Sequence, residues 1–199
     1  MLRRSTIAVI LITTALTARS GIDLTPTANE YVGEGIKYQK LTFRQDSQAI
    51  EYNPPPGWSF HGGPNQLQLT PPKKNFAEAF IEAVPLSAPQ PLDEKVSKAL
   101  EQELITKLPP DSQLVTVVSE EQNPVLLDGN RSFEVTVSYQ VMGEKFLRSA
   151  IFVNLPDTQL IFRLTARKDD FERLHREFRT SMLSWHRVES VATVEATGR

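Results

Sequence analysis

The sequence predicts an α+β fold in which an antiparallel β-sheet is flanked by helices, as in an α/β/α sandwich. In 131–141, apolar and polar residues alternate, which is the two-residue period of a strand with one buried face. Two largely apolar segments, 146–155 and 160–166, follow after short turns and extend this strand to an antiparallel unit of three. Residues 170–185 then change to helical spacing, which predicts a helix that covers the sheet.

The predicted closing helix has a clear start signal. Asp169 precedes it as the expected N-cap, and Glu172 three residues later completes a capping box. Because an apolar stripe of this size cannot offset the conformational entropy of the segment alone, the helix must share a core with the strands. The residues of the stripe are three or four positions apart: Phe171, Leu174, Phe178, Met182 and Trp185.

Upstream of this unit, the sequence predicts one more helix among several short strands. Residues 93–108 place Val96, Leu100 and Leu104 on one face, and two prolines end the segment. The adjacent apolar residues in 76–84 and in 146–155 indicate strands inside the sheet, buried on both faces. The shorter strands lie between polar or proline-rich turns, at 41–43, 49–52, 66–70 and 114–118.

The first twenty residues are predicted to be a secretory signal peptide. Arg3 and Arg4 precede an apolar run over 7–16, and small residues stand where a signal peptidase cleaves, which favours cleavage after Ser20. A retained membrane anchor is the alternative. The apolar run is short for that role, because a membrane span needs roughly 17–25 residues.

The rest of the chain is predicted to be one domain with irregular ends. Its length of 199 residues fits a single domain, for which the prior is roughly 100–200 residues. The hydrophobic content of 40% is a globular value. We therefore expect a flexible lead-in over 21–35, a single domain over 36–187 and a disordered tail over 188–199.

Charge and cysteine content exclude several classes of protein. Removal of residues 1–20 lowers the count of Lys and Arg from 22 to 19 against 24 acidic residues, so the net charge falls from −2 to −5. An acidic protein of this kind is not a general nucleic-acid binder. The absence of cysteine excludes thiol catalysis, Cys-based metal sites and a lipobox anchor. These features predict a secreted or periplasmic protein with no integral membrane segment after cleavage.

The histidines offer little evidence for catalysis. His61 precedes two glycines, as in the oxyanion loop of esterases, but the chain has no nucleophile elbow, which favours a surface turn. His175 flanks the apolar stripe of the closing helix, either as a ligand or base beside a cleft or as cover for the edge of the core. His186 is expected to end that helix. No histidine pair has zinc spacing, so we predict no metal, no cofactor and no catalytic residue.

A binding surface is predicted on the loop over 54–64. Three prolines stiffen the start of this loop, which presents Trp58, Phe60 and His61. Preorganised aromatic loops lose little entropy on docking, so these residues and His175 are the predicted binding residues. The alternative for Trp58 is that its ring closes the end of the core.

The order of these elements resembles the PsbP-like and DcrB-like superfamily of exported α/β sandwich proteins. The segments that carry the resemblance are 52–58, 79–84, 133–166 and 171–185. The resemblance implies an antiparallel sheet between helices. It also implies a non-catalytic, partner-binding role at the outer side of a membrane.

We therefore expect an exported, non-catalytic accessory module with a protein partner at the cell envelope. One alternative is a periplasmic hydrolase or metal-assisted enzyme that uses His175 and nearby acids. That alternative predicts a ligand-sized cleft beside the closing helix. Another is a structural envelope protein with its tail as a tether.

Overall fold

A computed structural model describes residues 21–45, 48–73 and 76–189 of the chain. The predicted signal peptide over 1–20 lies outside the described residues, as do 190–199. The described residues form two helices, α1 (Glu94–Thr106) and α2 (Lys168–Met182). The strands in chain order are β1 (Asp23–Gly33), β2 (Ile36–Gln45), β3 (Gln48–Tyr52), β4 (Ser59–Gly63), β5 (Gln66–Thr70), β6 (Glu78–Pro85), β7 (Gln113–Gln122), β8 (Ser132–Val141), β9 (Glu144–Asn154), β10 (Thr158–Arg167) and β11 (His186–Glu189).

The strands form two antiparallel sheets. The larger sheet has seven strands in the order β4-β5-β6-β10-β9-β8-β7, and the smaller has the order β1-β2-β3-β11. Helix α1 packs on one face of the larger sheet, and α2 packs on the other face together with the smaller sheet. The predicted α+β class, an antiparallel sheet flanked by helices, is confirmed. The prediction had a single sheet, and the smaller sheet beside α2 is an additional element.

Two hydrophobic clusters occupy the two faces of the larger sheet. On one face, leucines of α1 pack against alternate residues of β8, β9 and β10, including Val135 and Phe152. On the other face, Phe178 and Trp185 pack with residues of the smaller sheet such as Phe43. The alternation of side chains along each strand separates the two clusters.

Strand β8 differs from its prediction because both of its faces are buried. Its apolar residues face α1 as expected. The intervening Glu134, Thr136 and Ser138 are only 3%, 5% and 6% exposed, although a solvent-facing side was predicted for them. The reason is tertiary: β8 lies between β7 and β9, and α2 covers the second face. The predicted positions of β6 and β9 inside the sheet are confirmed, and β9 is buried on both faces, whereas one face of β6 is only half-buried.

The predicted flexible lead-in over 21–35 is wrong, because most of it is β1. This strand pairs antiparallel with β2 and buries Ile22 and Leu24 at its start. The Leu24 amide also donates a hydrogen bond to the Pro64 carbonyl, at 3.0 Å. Few apolar residues mark this segment. Its order comes from the pairing with β2 and from the contact with Pro64, which is distant in the chain.

Helix α1 begins where it was predicted to begin, whereas both ends of α2 differ from the prediction. Asp93 is the N-cap of α1, and its carboxylate accepts a hydrogen bond from the Val96 amide at 2.8 Å. The N-cap of α2 is Arg167, which makes no side-chain capping bond, so the predicted capping box at Asp169 is wrong. At the other end, α2 stops at Met182.

The chain after α2 forms a further strand, so the predicted helix end and tail both change. His186 belongs to β11, which pairs antiparallel with β3. The predicted tail over 188–199 is therefore wrong for its first two residues, and the rest lies outside the described residues. Trp185 still fills the core, edge-on to Phe162 with ring centroids 5.5 Å apart. The apolar stripe is confirmed as core even though its last member follows the helix.

Candidate functional site

Trp58 lies in the core and not on a binding surface. Its side chain is 2% exposed, and its ring stacks on Phe178 with centroids 6.2 Å apart and planes at 9°. The indole Nε1 donates to Glu177 Oε2 at 3.3 Å. The Trp58 amide bonds to the Pro55 carbonyl, which fixes the proline corner. The core-closing alternative for Trp58 is therefore confirmed.

Phe60 and His61 do not form a common surface with Trp58. Both belong to β4, so the predicted loop over 54–64 is wrong for its second half. Phe60 packs partly buried against the core beside α2, whereas His61 is exposed. Neighbouring residues in a strand point to opposite faces. Trp58 and Phe60 therefore pack with the same core, and His61 alone of the three is exposed.

Gly62 gives the His-Gly-Gly sequence a structural role. A Cβ atom at this position would lie 2.6 Å from the Leu24 carbonyl oxygen and closer still to the Pro26 ring. Gly62 is therefore the place where β1 crosses β4 at close range. Gly63 has open space around it and makes no such contact.

His175 belongs to a polar cluster centred on the buried Glu134. Its Nε2 is 2.5 Å from Glu134 Oε1, and its ring stacks on Phe171 one helical turn away. The same Glu134 oxygen accepts a hydrogen bond from Ser149 Oγ at 2.6 Å. Arg179 Nη1 donates to the other oxygen at 3.3 Å. The cluster joins α2 to β8 and β9 beneath the helix.

The charge of Glu134 is compensated locally. Burial raises the pKa of this carboxyl, but the hydrogen bonds from His175 and Ser149 and the charges of His175 and Arg179 lower it by more. The net pKa lies below the ordinary value of 4.5, so Glu134 is ionised at neutral pH. Arg179 also donates to Glu121 on β7, at 3.1 Å, and the cluster thereby ties α2 to the edge strand.

The geometry of the cluster differs from that of a catalytic triad. In a triad, the histidine stands between the carboxylate and the nucleophile. Here His175 and Ser149 contact the same carboxylate oxygen, and Ser149 is 1% exposed. The arrangement stabilises α2 on the sheet and does not activate the Ser149 hydroxyl.

A cleft of about 410 Å³ lies beside α2. His175, Arg176, Arg179 and Thr180 line it from the helix. The enzyme alternative predicted a cleft at this place, and one is present. Glu134 and Ser149 do not contribute to its lining.

A larger pocket, of about 500 Å³, was missed by sequence reasoning. It lies on the α1 face of the larger sheet, next to Pro109 where the chain leaves α1. We call it the Arg148 pocket. Its lining comes from β5, β6, β8, β9, β10 and nearby turns and includes Phe76, Glu78, Tyr139, Phe146, Arg148 and Thr165. The sequence contains one signal for this pocket. Arg148 is a charged residue on the same face of β9 as the buried Ala150 and Phe152.

Strand β7, at the end of the larger sheet, exposes a group of apolar side chains. We define the β7 edge patch as Leu114, Val115, Val118 and Met142, whose exposed fractions are 72%, 39%, 55% and 95%. Two irregularities interrupt the pairing of β7 with β8 around the first three of these residues. Bulges of this kind redirect side chains outward.

The described residues contain no group of three or more His, Asp and Glu side chains that could hold a metal ion. Within the same ranges, no helix is long and apolar enough to cross a membrane.

The arrangement of the two sheets and two helices is a PsbP-like fold. The solution structure of cyanobacterial PsbP (CyanoP) from Synechocystis sp. PCC 6803 matches with a TM-score of 0.51 and 14% identity, over 80% of this chain and 92% of that chain. PA94, a protein of unknown function from Pseudomonas aeruginosa, matches with a TM-score of 0.43 and 15% identity, over 78% of this chain and 93% of that chain. No protein-family model and no curated protein matches the sequence.

Proposed function

We propose that this protein is an exported, non-catalytic binding module that docks a protein partner on the β7 edge patch. The observation that carries the proposal is the exposure of apolar side chains along the edge strand β7 and in the turn between β8 and β9, with Met142 at 95% and Leu114 at 72%. Burying apolar surface yields about 25 cal/mol per Å², so such a patch favours association. Membership of the PsbP-like and DcrB-like superfamily is part of the proposal, supported by the similarity of fold.

The two halves of β7 differ in the way their edge is protected. In the second half, Glu120 pairs with Lys98 at 2.8 Å and Glu121 pairs with Arg179 at 3.1 Å. The first half, over 113–118, contains no charged residue. Natural edge strands usually carry charge or proline against unwanted contacts, so an uncharged apolar half favours a specific partner.

The bulges determine the kind of contact that suits this patch. An added strand needs a regular row of backbone groups along the edge. The irregularities in the pairing of β7 with β8 around Leu114, Val115 and Val118 bend the strand, and such bulges change the direction of side chains and make an edge less suited to strand addition. The partner therefore contributes an apolar surface that receives these side chains, and main-chain pairing is secondary.

The docking proposal is tested with a photoreactive amino acid placed at Leu114 or Val118 in the native cell. We expect a discrete crosslinked protein, and at least a tenfold lower yield when the other residues of the patch carry Lys. A photoreactive residue at Val84, an exposed apolar position on β6, is the matched control. Equal crosslinking from Val84, or an unchanged yield in the Lys variants, would overturn the proposal.

Export is tested by N-terminal sequencing of the protein from the cell envelope. The proposal predicts a mature chain that begins at Gly21. A chain that still begins at Met1 and sediments with the membrane would contradict cleavage.

The cleft beside α2 supports a second candidate function, a hydrolase that uses His175. Its test is turnover of ester and amide substrates by the purified protein and by His175→Ala. The binding-module proposal predicts equal, background rates for both proteins. Turnover that is lost in His175→Ala, while the variant remains folded, would favour the enzyme.

A further inference from the structure

The Arg148 pocket has a cation at its base. The Arg148 side chain is only 8% exposed. Its Nε donates to Thr165 Oγ1 at 2.9 Å, and its Nη1 donates to the Lys107 carbonyl at 2.9 Å. Both acceptors are neutral, and no carboxylate among the described residues forms an ion pair with the guanidinium. A buried positive charge without a counterion carries a large desolvation cost, which an anionic ligand would offset.

The contact with α1 explains only part of this arrangement. Lys107 is the C-cap of α1, so its carbonyl lies at the negative end of the helix dipole. A capping role requires one donor, whereas a guanidinium has five N–H groups. The helix end also carries only about half an elementary charge. The guanidinium also interacts with the neutral Tyr139 hydroxyl and lies over the Tyr139 ring at 5.8 Å. These contacts do not neutralise its charge, and Arg148 lines the pocket.

The neighbouring charges indicate that the ligand has a single negative charge. Arg167 lies over the Phe76 ring at 4.6 Å and is engaged by Glu144 at 3.6 Å. Glu78 lines the pocket and acts on Arg148 electrostatically without contacting it. A dianion such as phosphate would be repelled by the Glu78 carboxylate, and a carboxylate would suffer less repulsion.

The walls indicate that the rest of the ligand is apolar. The aromatic rings of Tyr139 and Phe146 stack with centroids 5.7 Å apart, and the Phe76 side chain at the rim is 63% exposed. A volume of about 500 Å³ is in the range of small-molecule sites. Such sites combine apolar walls with a few polar groups that orient the ligand.

We propose that the Arg148 pocket binds a monocarboxylate with an apolar or aromatic body. The Arg148 guanidinium holds the carboxylate, and the rings of Phe76, Tyr139 and Phe146 contact the body. Planar guanidinium and carboxylate groups match in a paired geometry that a lysine cannot reproduce. The inference does not rest on partner docking, because it uses none of the residues of the β7 edge patch.

The test is calorimetric titration of the purified full chain with octanoate and 4-phenylbutyrate, each compared with its neutral amide. The same chemistry occurs at the C-terminus of an apolar peptide, so N-acetyl-Leu-Phe and its amide form a third pair. We expect the acids to bind at least tenfold more tightly than the amides and more tightly than inorganic phosphate. The acid that binds most tightly, small molecule or peptide, identifies the source of the carboxylate. Equal affinity of acid and amide, or no binding of any acid at millimolar concentration, would overturn the proposal.

Two variants connect the binding to Arg148. Arg148→Met should weaken acid binding at least tenfold, with Arg173→Met as the matched control, because Arg173 pairs with Glu177 at 2.6 Å on α2, outside the pocket. Arg148→Lys should restore binding only in part. Phe76→Ala changes an exposed rim residue and should weaken binding even if Arg148→Met does not fold. Unchanged affinity in folded Arg148→Met, or in Phe76→Ala, contradicts the assignment.

Discussion

At the residue scale, the structure explains buried polar side chains whose roles the sequence did not determine. Glu134 was expected on the solvent face of a strand, yet three contacts, one each from His175, Ser149 and Arg179, surround its carboxylate. A buried carboxylate is tolerated only where such partners compensate its charge. His175 is thereby explained as a partner of Glu134, and the same bond fixes α2 on the sheet.

The Glu134 cluster should make the protein sensitive to acid. The pKa of this carboxyl is lowered in the folded protein from the ordinary value of 4.5. Its stabilising contribution is therefore complete above that value and is lost as the pH falls through the folded pKa. We expect the free energy of unfolding, measured by urea denaturation from pH 6 to pH 3, to fall less steeply in Glu134→Gln than in the natural protein.

At neutral pH, Glu134→Gln should be less stable by about 1–3 kcal/mol, because hydrogen bonds to a charged acceptor are lost. Glu172→Gln, a change at an exposed residue of α2, is the control and should keep the natural pH profile. Identical slopes for the natural protein and Glu134→Gln would show that the cluster does not control acid stability.

Trp58 gives a second prediction at this scale. Because its ring is buried against Phe178, Trp58→Ala should lower the free energy of unfolding by about 3–5 kcal/mol. Trp58→Phe should cost less, since it keeps an aromatic ring and loses the bond to Glu177. Guanidinium denaturation measures both. A change below about 0.5 kcal/mol for Trp58→Ala would place the indole outside the core.

At the element scale, strand β1 depends on one close contact. It crosses β4 where Gly62 leaves room for the Leu24 carbonyl and the Pro26 ring. Few positions of β1 are buried, so the strand holds its place through pairing with β2 and through this crossing. A side chain at position 62 would push the two strands apart.

Gly62→Ala should therefore destabilise the protein by about 1–3 kcal/mol, the usual cost of overpacking. Gly63→Ala is the matched control, since nothing lies within 4 Å of its added Cβ. Urea denaturation gives the free energies, and hydrogen exchange locates the change in the amides of β1. Equal effects of the two substitutions would mean that β1 does not approach β4 so closely.

At the scale of the whole molecule, β11 connects the end of α2 to the smaller sheet. It pairs four residues with β3, and Arg187 reaches Asp128 at 3.5 Å in the loop before β8. Through these contacts, β11 joins the smaller sheet to the loop that leads into β8 of the larger sheet. Its removal leaves β3 as an open edge next to the core.

A chain that ends after Trp185 should lose about 2–4 kcal/mol of stability, since each ladder hydrogen bond contributes about 1 kcal/mol. A chain that ends after Glu189 keeps β11 and serves as the control. Urea denaturation compares the two, and faster hydrogen exchange in β3 should accompany the shorter form. Equal stability of both forms would contradict a structural role for β11.

The sequence alone determined the parts whose signal is local. The alternation in β8, the apolar runs of β6 and β9, and the helical spacing in α1 and α2 arise from periods of two and 3.6 residues, and each is present in its own segment. These periods were sufficient for the α+β class, for the core residues of the closing helix and for the burial of Trp185, which follows that helix.

Only the tertiary structure decided what depends on distant partners. Leu24 bonds to Pro64, β11 pairs with β3, and Glu134 meets His175, and no local period encodes any of these contacts. The same holds for the Arg148 pocket, whose walls come from five strands, from the chain before β6 and from Pro109 after α1. The physical reason is that burial of a polar group or an edge becomes favourable only when its partner is in place.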